Sequence, residues 1–371
     1  MSRTLLFALL WLPAGAQNRI DSLGRSFIQQ SGHVNLSIGV YCRGKVFFYG
    51  YGQAVKGRPV PPGPGTIYEI GSLTKTFTAY LLARAVMEGR VRLDDPVTRY
   101  IGDADPGLRG ITLRELASHT AGMPKFIPPL DRATLATAAG AAKYPVITVA
   151  AFLQALRSFR PDTVPGTRFN YSNVDAQLLG ILLSRLYHRS YAQLLHQYIL
   201  GPAGMNDTWL NVPASQRGRE VGQYDAGGQA MPYAHFWDDL PATASIKSTA
   251  GDLVRYMRFC LDTTDAALRL CREVNARNTG EHDADIGLYW FVRRAPAGAL
   301  PGAPAGAPVS PTGDLEMLHG GGLLGSTSFC LLDPGRQAGV ICLAGDASPG
   351  CEDALAAMAE QIIQTVSSSR D

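Results

Sequence analysis

Apolar and polar positions alternate over residues 34–42 and 45–51, and the Arg43-Gly44 pair between them is a tight-turn signal, so the first folded element is expected to be a β-hairpin. Proline and glycine then crowd residues 57–65, which predicts an extended crossing over the surface. From Ser72 the period changes. Phe77, Leu81, Leu82, Ala85 and Val86 recur at helical spacing, and Gly89 is a natural stop. Helical pattern dominates to about Pro202: Thr112 and Glu115 make a capping box for a helix that runs out at residues 119–122, and residues 174–189 and 191–200 read as further helices. Asp94-Asp95-Pro96 and residues 103–106 read as turns, and residues 205–245 as mixed loop with aromatic content.

A helix is expected again over residues 248–260, with Asp252 in its first turn, and a strand over 287–292. Residues 295–313 are rich in proline, glycine and alanine without apolar period, the signature of a surface loop. Strands follow at 315–321, 326–333 and 339–344, with a Pro334-Gly335 turn, and an amphipathic helix closes the chain at 352–366. Strands at both ends flanking a helical middle predict an α/β part plus an all-α part: an antiparallel sheet built from both chain termini and flanked by helices, with an inserted helical lobe. The expected bounds are 17–70 together with 245–371 for the α/β lobe and 71–244 for the mainly helical lobe.

The first sixteen residues stand outside that pattern. One early positive charge, an apolar run too short to span a bilayer, and Ala14 and Ala16 at the minus-three and minus-one places read as a signal peptide over 1–16, cleaved before Gln17. No later stretch reaches transmembrane length, so the mature chain is expected to be exported, periplasmic or secreted, without stable membrane insertion. A net charge of +3 spread without a basic run suggests neither nucleic acid nor an anionic membrane surface as partner. Six cysteines lack the close spacing of a zinc or redox site. An exported chain permits disulfides, and Cys260 with Cys271 closes a short loop; Cys42, Cys330 and Cys342 read equally well as buried thiols on strands.

Candidate chemistry lies in three places. Ser72 and Lys75 are three residues apart at the mouth of a predicted helix, so the amine can lean back over the hydroxyl and take its proton while first-turn amides favour a developing negative charge. Tyr171 and Asn173 follow the Pro165-Gly166 turn on a loop. There a phenol can point into a cleft, where a nearby ammonium would lower its pKa toward that of a useful base, and the amide can meet a substrate carbonyl. His319-Gly320-Gly321-Gly322 ends a predicted strand, where an exposed amide can pair with that of Ser72 to hold an oxyanion. A lipase-type His-Gly-Gly-Gly loop would require a Gly-x-Ser-x-Gly elbow, which this chain lacks. His119, at a helix end, reads as a cap on the last carbonyls, and His33, His188, His196, His235 and His282 read as structural, with no partner at metal-ligand spacing.

Ser72-Leu73-Thr74-Lys75, then Tyr171-Ser172-Asn173 about a hundred residues on, then His319-Gly320-Gly321 on a late strand together resemble the serine hydrolases of the class C β-lactamase and D-alanyl-D-alanine carboxypeptidase family, over roughly residues 20–365. Residues 68–76, 116–124 and 245–252 share the likeness. The resemblance implies a β-lactamase/transpeptidase-like fold with its site in the cleft between the two lobes. It implies Ser72 as nucleophile, Lys75 and Tyr171 sharing its proton, Asn173 on the substrate amide, the Ser72 and Gly322 amides as oxyanion hole, and His319, Gly320, Gly321 and Tyr224 along the substrate cleft. No metal or cofactor is implied. The expected substrate is a small molecule or a peptide: an ester or peptide-like amide, with a cell-wall D-alanyl peptide or a β-lactam as the alternative and a non-catalytic binding protein as a third reading. The third motif departs from β-lactamases, which carry lysine where this chain has His319, mostly neutral at its reference pKa; the glutamine that class C enzymes place after the proline is here Lys125-Phe126. Both changes point away from an efficient β-lactamase.

Overall fold

In the computed structural model of the chain, the expected first turn forms with Arg43 and Gly44 both at positive φ, 48° and 87°, which matches a two-residue hairpin to the twist of its strands. The structure describes residues 13–29, 33–101, 106–126, 137–234, 238–277, 279–294 and 315–368. Residues 1–12 of the expected leader, most of the turn at 103–106, residues 235–237 and the loop expected at 295–313 lie outside the described residues.

The strands are β1 (Asn35–Cys42), β2 (Lys45–Gly52), β3 (Ile67–Glu69), β4 (Gln223–Tyr224), β5 (Ala230–Met231), β6 (Lys247–Thr249), β7 (Asp285–Ile286), β8 (Phe291–Arg294), β9 (Leu315–Leu323), β10 (Ser326–Asp333) and β11 (Ala338–Ala344). Seven of them form one antiparallel sheet in the order β2-β1-β11-β10-β9-β8-β7, so the two ends of the chain meet in its middle, with Ile38 opposite Cys342. Every residue of β10 and β11 is buried, as expected where helices cover both faces. The edge strand β2 keeps the alternation seen in the sequence, with Val46 and Phe48 outward.

One face is covered by the helices Ala14–Gln29 and Cys351–Ser368, which bury Ile20, Phe27, Leu355 and Ile362 against Val40, Phe329, Leu331 and Val340. Each such side chain contributes about 1.5–3 kcal/mol by leaving water. The first of these helices was not anticipated. It runs straight through the expected cleavage site, with Ala16 buried, and its spacing of Ile20, Leu23, Gly24 and Phe27 was overshadowed by the leader pattern before it. The other face packs on the helix Ala250–Cys260 and, beyond it, on the helical region.

At the centre of that region the helix Thr74–Met87 is buried almost throughout, against the helices Asn173–Tyr187 and Ala266–Arg272. Its polar groups are satisfied internally: Thr76 Oγ1 lies 2.8 Å from the Tyr256 hydroxyl, and Thr78 Oγ1 donates to the Ala242 carbonyl at 2.8 Å. The expected helix start moves slightly, because residues Gly71–Leu73 form a 3-10 turn and the α-helix proper begins at Thr74. All six cysteines are buried thiols and none is in a disulfide. This corrects the Cys260–Cys271 pairing: Cys260 ends one helix, Cys271 sits in the next, and each is enclosed by the core.

Candidate active site

Two contacts aim the 3-10 turn that carries Ser72. β3 pairs with β6 just before it, and Ser326 Oγ and Ser328 Oγ of β10 donate to the carbonyls of Glu69 and Ile70, at 2.9 and 2.8 Å. The glycines of β9 then pass directly against the turn. A Cβ added at Gly321 would lie 2.2 Å from the Ile70 carbonyl oxygen, and one at Gly71, whose φ is +52°, would lie 2.9 Å from the Gly322 nitrogen. Gly321 is thus a packing position, not part of the cavity wall.

Lys75 is fully buried, and its Nζ has three neighbours: Asn173 Oδ1 at 2.7 Å, Ser72 Oγ at 3.0 Å and the Thr243 carbonyl at 3.2 Å. Burial pushes its pKa well below the usual lysine range, and Lys125 adds to the shift. In its unprotonated form this amine has two N–H donors and one lone pair. Two of the neighbours can only accept, so the lone pair is left for the Ser72 hydroxyl.

Tyr171 stands near Ser72, whose hydroxyl acts on its phenol, with Lys75 Nζ 4.9 Å and Lys125 Nζ 5.5 Å from its ring centroid. Here one sequence expectation is corrected. Burial pushes the phenol up, so it stays protonated and can serve as a donor, with Ser72 acting the other way. Burial could not be read from a string of residues.

The loop that presents Tyr171 is gripped by His119. Its backbone carbonyl accepts from the Asn170 amide at 2.7 Å, and its Nδ1 lies 3.0 Å from Asp175 Oδ2 and 3.3 Å from the Ser172 amide. Its ring centroid lies 4.6 Å from that of Tyr171 and 4.9 Å from that of Tyr289. His119 therefore does not cap the helix with its ring; its φ of 56° turns the chain and the imidazole braces the tyrosine. Ser172 caps the Asn173–Tyr187 helix, which fixes Asn173 beside Lys75.

These groups open onto a cavity of about 590 Å³ whose walls include Ser72, Tyr171, Asn173, His319, Gly320 and Gly322. The sequence reading did not place four further groups in those walls: Glu281 and Glu352, which it passed over, Lys125, which it noted only as a departure from the family, and His282, which it read as structural. Lys125 follows a motif that carried the resemblance, but the other three come from a loop and a helix start with no pattern to betray them. Tyr224 stands apart from the cavity walls. It pairs on β4, and its hydroxyl accepts from the Lys56 amide at 2.7 Å. His319 is buried and held neutral, its pKa pushed down to about 3 by burial and by Lys75.

A family model described as Beta-lactamase matches residues 20–364. The chain is similar to a β-lactamase of Pseudomonas fluorescens, 29% identical over 280 residues and covering 73% of each chain, and to one of Escherichia coli, 26% identical over 343 residues, 87% of this chain and 86% of the other. Its fold matches a solved β-lactamase/D-alanine carboxypeptidase of Pseudomonas syringae with a TM-score of 0.79, covering 95% and 99% of the two chains at 23% identity.

Proposed function

The chain belongs to the beta-lactamase family of serine hydrolases, and from that footing we propose that it is an exported enzyme working through an acyl-enzyme on Ser72, with an ester or peptide-like amide as substrate. The observation that carries this reading is the placement of one amine and one phenol on a single serine hydroxyl, with the Lys75 lone pair free for its proton. As Ser72 Oγ attacks the substrate carbonyl carbon, its proton passes to Lys75 Nζ. The oxyanion is received by the backbone amides of Ser72 and Gly322, and Asn173 orients the acyl side. Tyr171 gives its proton to the leaving group as the scissile bond breaks, and takes back the one that Lys75 holds. Water then attacks the acyl carbon as its proton passes to Lys75, and the C–Oγ bond breaks with that proton returning to Ser72, which releases the acid. The substrate lies between a lobe of residues 17–70 with 245–371 and one of 71–244.

A β-lactam or D-alanyl peptide is the second reading, and the names of the relatives favour it. His319 supports the first, since a neutral imidazole offers no fixed charge to the carboxylate that both of those ligands carry. For export the support is the leader pattern of residues 1–16, and no helix among the described residues is long and apolar enough to cross a membrane.

The test is to treat the purified protein with a fluorophosphonate and, separately, with a penicillin, and to map adducts by mass spectrometry. A fluorophosphonate adduct on Ser72 with turnover of p-nitrophenyl esters is the expected result, and Ser72→Ala is expected to lose both. A Ser72→Ala protein as active as its parent overturns the mechanism, and rapid turnover of a chromogenic cephalosporin restores the second reading.

A further inference from the structure

His319 lines the cavity, and one of its ring nitrogens is already committed. Nδ1 is hydrogen-bonded to the Gly320 carbonyl, which can only accept, so Nδ1 carries the ring proton. Nε2 is consequently an acceptor. It is buried and has no hydrogen-bond partner among the described residues. A buried acceptor of this kind calls for a donor from a ligand.

Two carboxylates share the same walls. Glu352 lies so close to Gly320 that a Cβ there would overlap its Oε1, which places the carboxylate on the strand that carries His319, and the same oxygen is 3.8 Å from His282 Nε2. Glu281 lines the cavity beside it. Both lie near enough to the Tyr171 hydroxyl to act on it electrostatically. Burial raises the pKa of each, Glu352 to about 7, and a cation seated between them would relieve that cost. Against them the described cavity walls hold one lysine, Lys125, over the Tyr171 ring, while Lys75 is buried behind with its pKa pushed down by burial. An anionic leaving group would face two acidic side chains against the one lysine of the described walls.

We propose that the leaving group of the natural substrate bears a cationic amine, whose N–H donates to His319 Nε2 while its charge is balanced by Glu281 and Glu352. This inference rests on the Ser72 hydrolase reading and fixes its substrate class: an ester or amide of an amine-bearing alcohol or amine, opposite in charge to a D-alanine or β-lactam carboxylate.

The test compares three acetate esters, 3-(aminomethyl)phenyl, 3-methylphenyl and 3-carboxyphenyl, each corrected for its rate with hydroxide. The cationic ester is expected to exceed the neutral one in kcat/KM by at least about tenfold, with the anionic ester slowest. Glu281→Gln and Glu352→Gln are each expected to cut the cationic-to-neutral ratio several-fold, as is added salt. An anionic ester processed as fast as the cationic one, or a ratio indifferent to both substitutions, overturns the inference while fluorophosphonate labelling of Ser72 leaves the hydrolase reading standing. Where no ester is turned over, calorimetric titration with benzylamine and with benzoate decides: benzylamine binding that weakens in Glu352→Gln supports the subsite, and tighter binding of benzoate, or of neither, ends it.

Discussion

Lys75 sets how the site responds to pH. Its folded pKa lies below the ordinary lysine value, chiefly through burial and then through Lys125, and only the free amine can take the serine proton. Activity should therefore rise with pH through an acid limb lying below about 10, the usual lysine range. Removing the Lys125 charge relieves one of the two depressing influences. Lys125→Gln should thus move that limb to higher pH, read in a kcat/KM profile against a neutral ester. Lys75→Arg, which cannot give up its proton, should lose roughly a hundred- to ten-thousand-fold in rate. At this scale the sequence was informative about identity and silent about environment. Ser72, Lys75, Tyr171 and Asn173 could be found as strings, yet the sign of the Tyr171 shift was misjudged because it depends on enclosure by residues far along the chain. Glu281 and Glu352 were missed for the same reason, since nothing local in their segments points to a cavity.

Among the elements, the contact of the 3-10 turn with the end of β9 positions the nucleophile beside Gly322. The three glycines there should respond differently to one added methyl group. Gly71→Ala forces a side chain into a left-handed backbone, at about 1–2 kcal/mol, and into the Gly322 nitrogen; Gly321→Ala drives a Cβ into the Ile70 carbonyl. Both should lower the melting temperature and the ester rate together. Gly322→Ala meets nothing within 4 Å and should change stability by less than about 0.5 kcal/mol. Calorimetric melts of the three variants check the order. The hairpin of β1 and β2, the capping box at Thr112 and the late strands were legible because alternation and turn chemistry are local properties. The helix Ala14–Gln29 was not, since a cleavable leader and an amphipathic helix overlap there. The three-residue strands β3 and β6 are too short to show any period.

For the molecule as a whole, the thiols report on closure. Every cysteine is buried, with Cys260 and Cys351 pushed up to about 12 by burial, so Ellman's reagent should label almost none in the native protein and all six in guanidinium. Rapid native labelling would mean that the core breathes. The overall architecture was readable from the order of elements, because strands at both ends with helices between leave few ways to complete one sheet. That seam also governs how the molecule comes into being. Apart from its hairpin partner β2, β1 finds a neighbour only in β11, about three hundred residues later, so a nascent chain leaving the ribosome keeps its opening ribbon undocked until nearly the last segment has been synthesised. The strand beside the nucleophile is late as well: Ser72, Lys75 and Tyr171 are made early, whereas Gly321 and Gly322, which pass against the Ser72 turn, arrive only with β9.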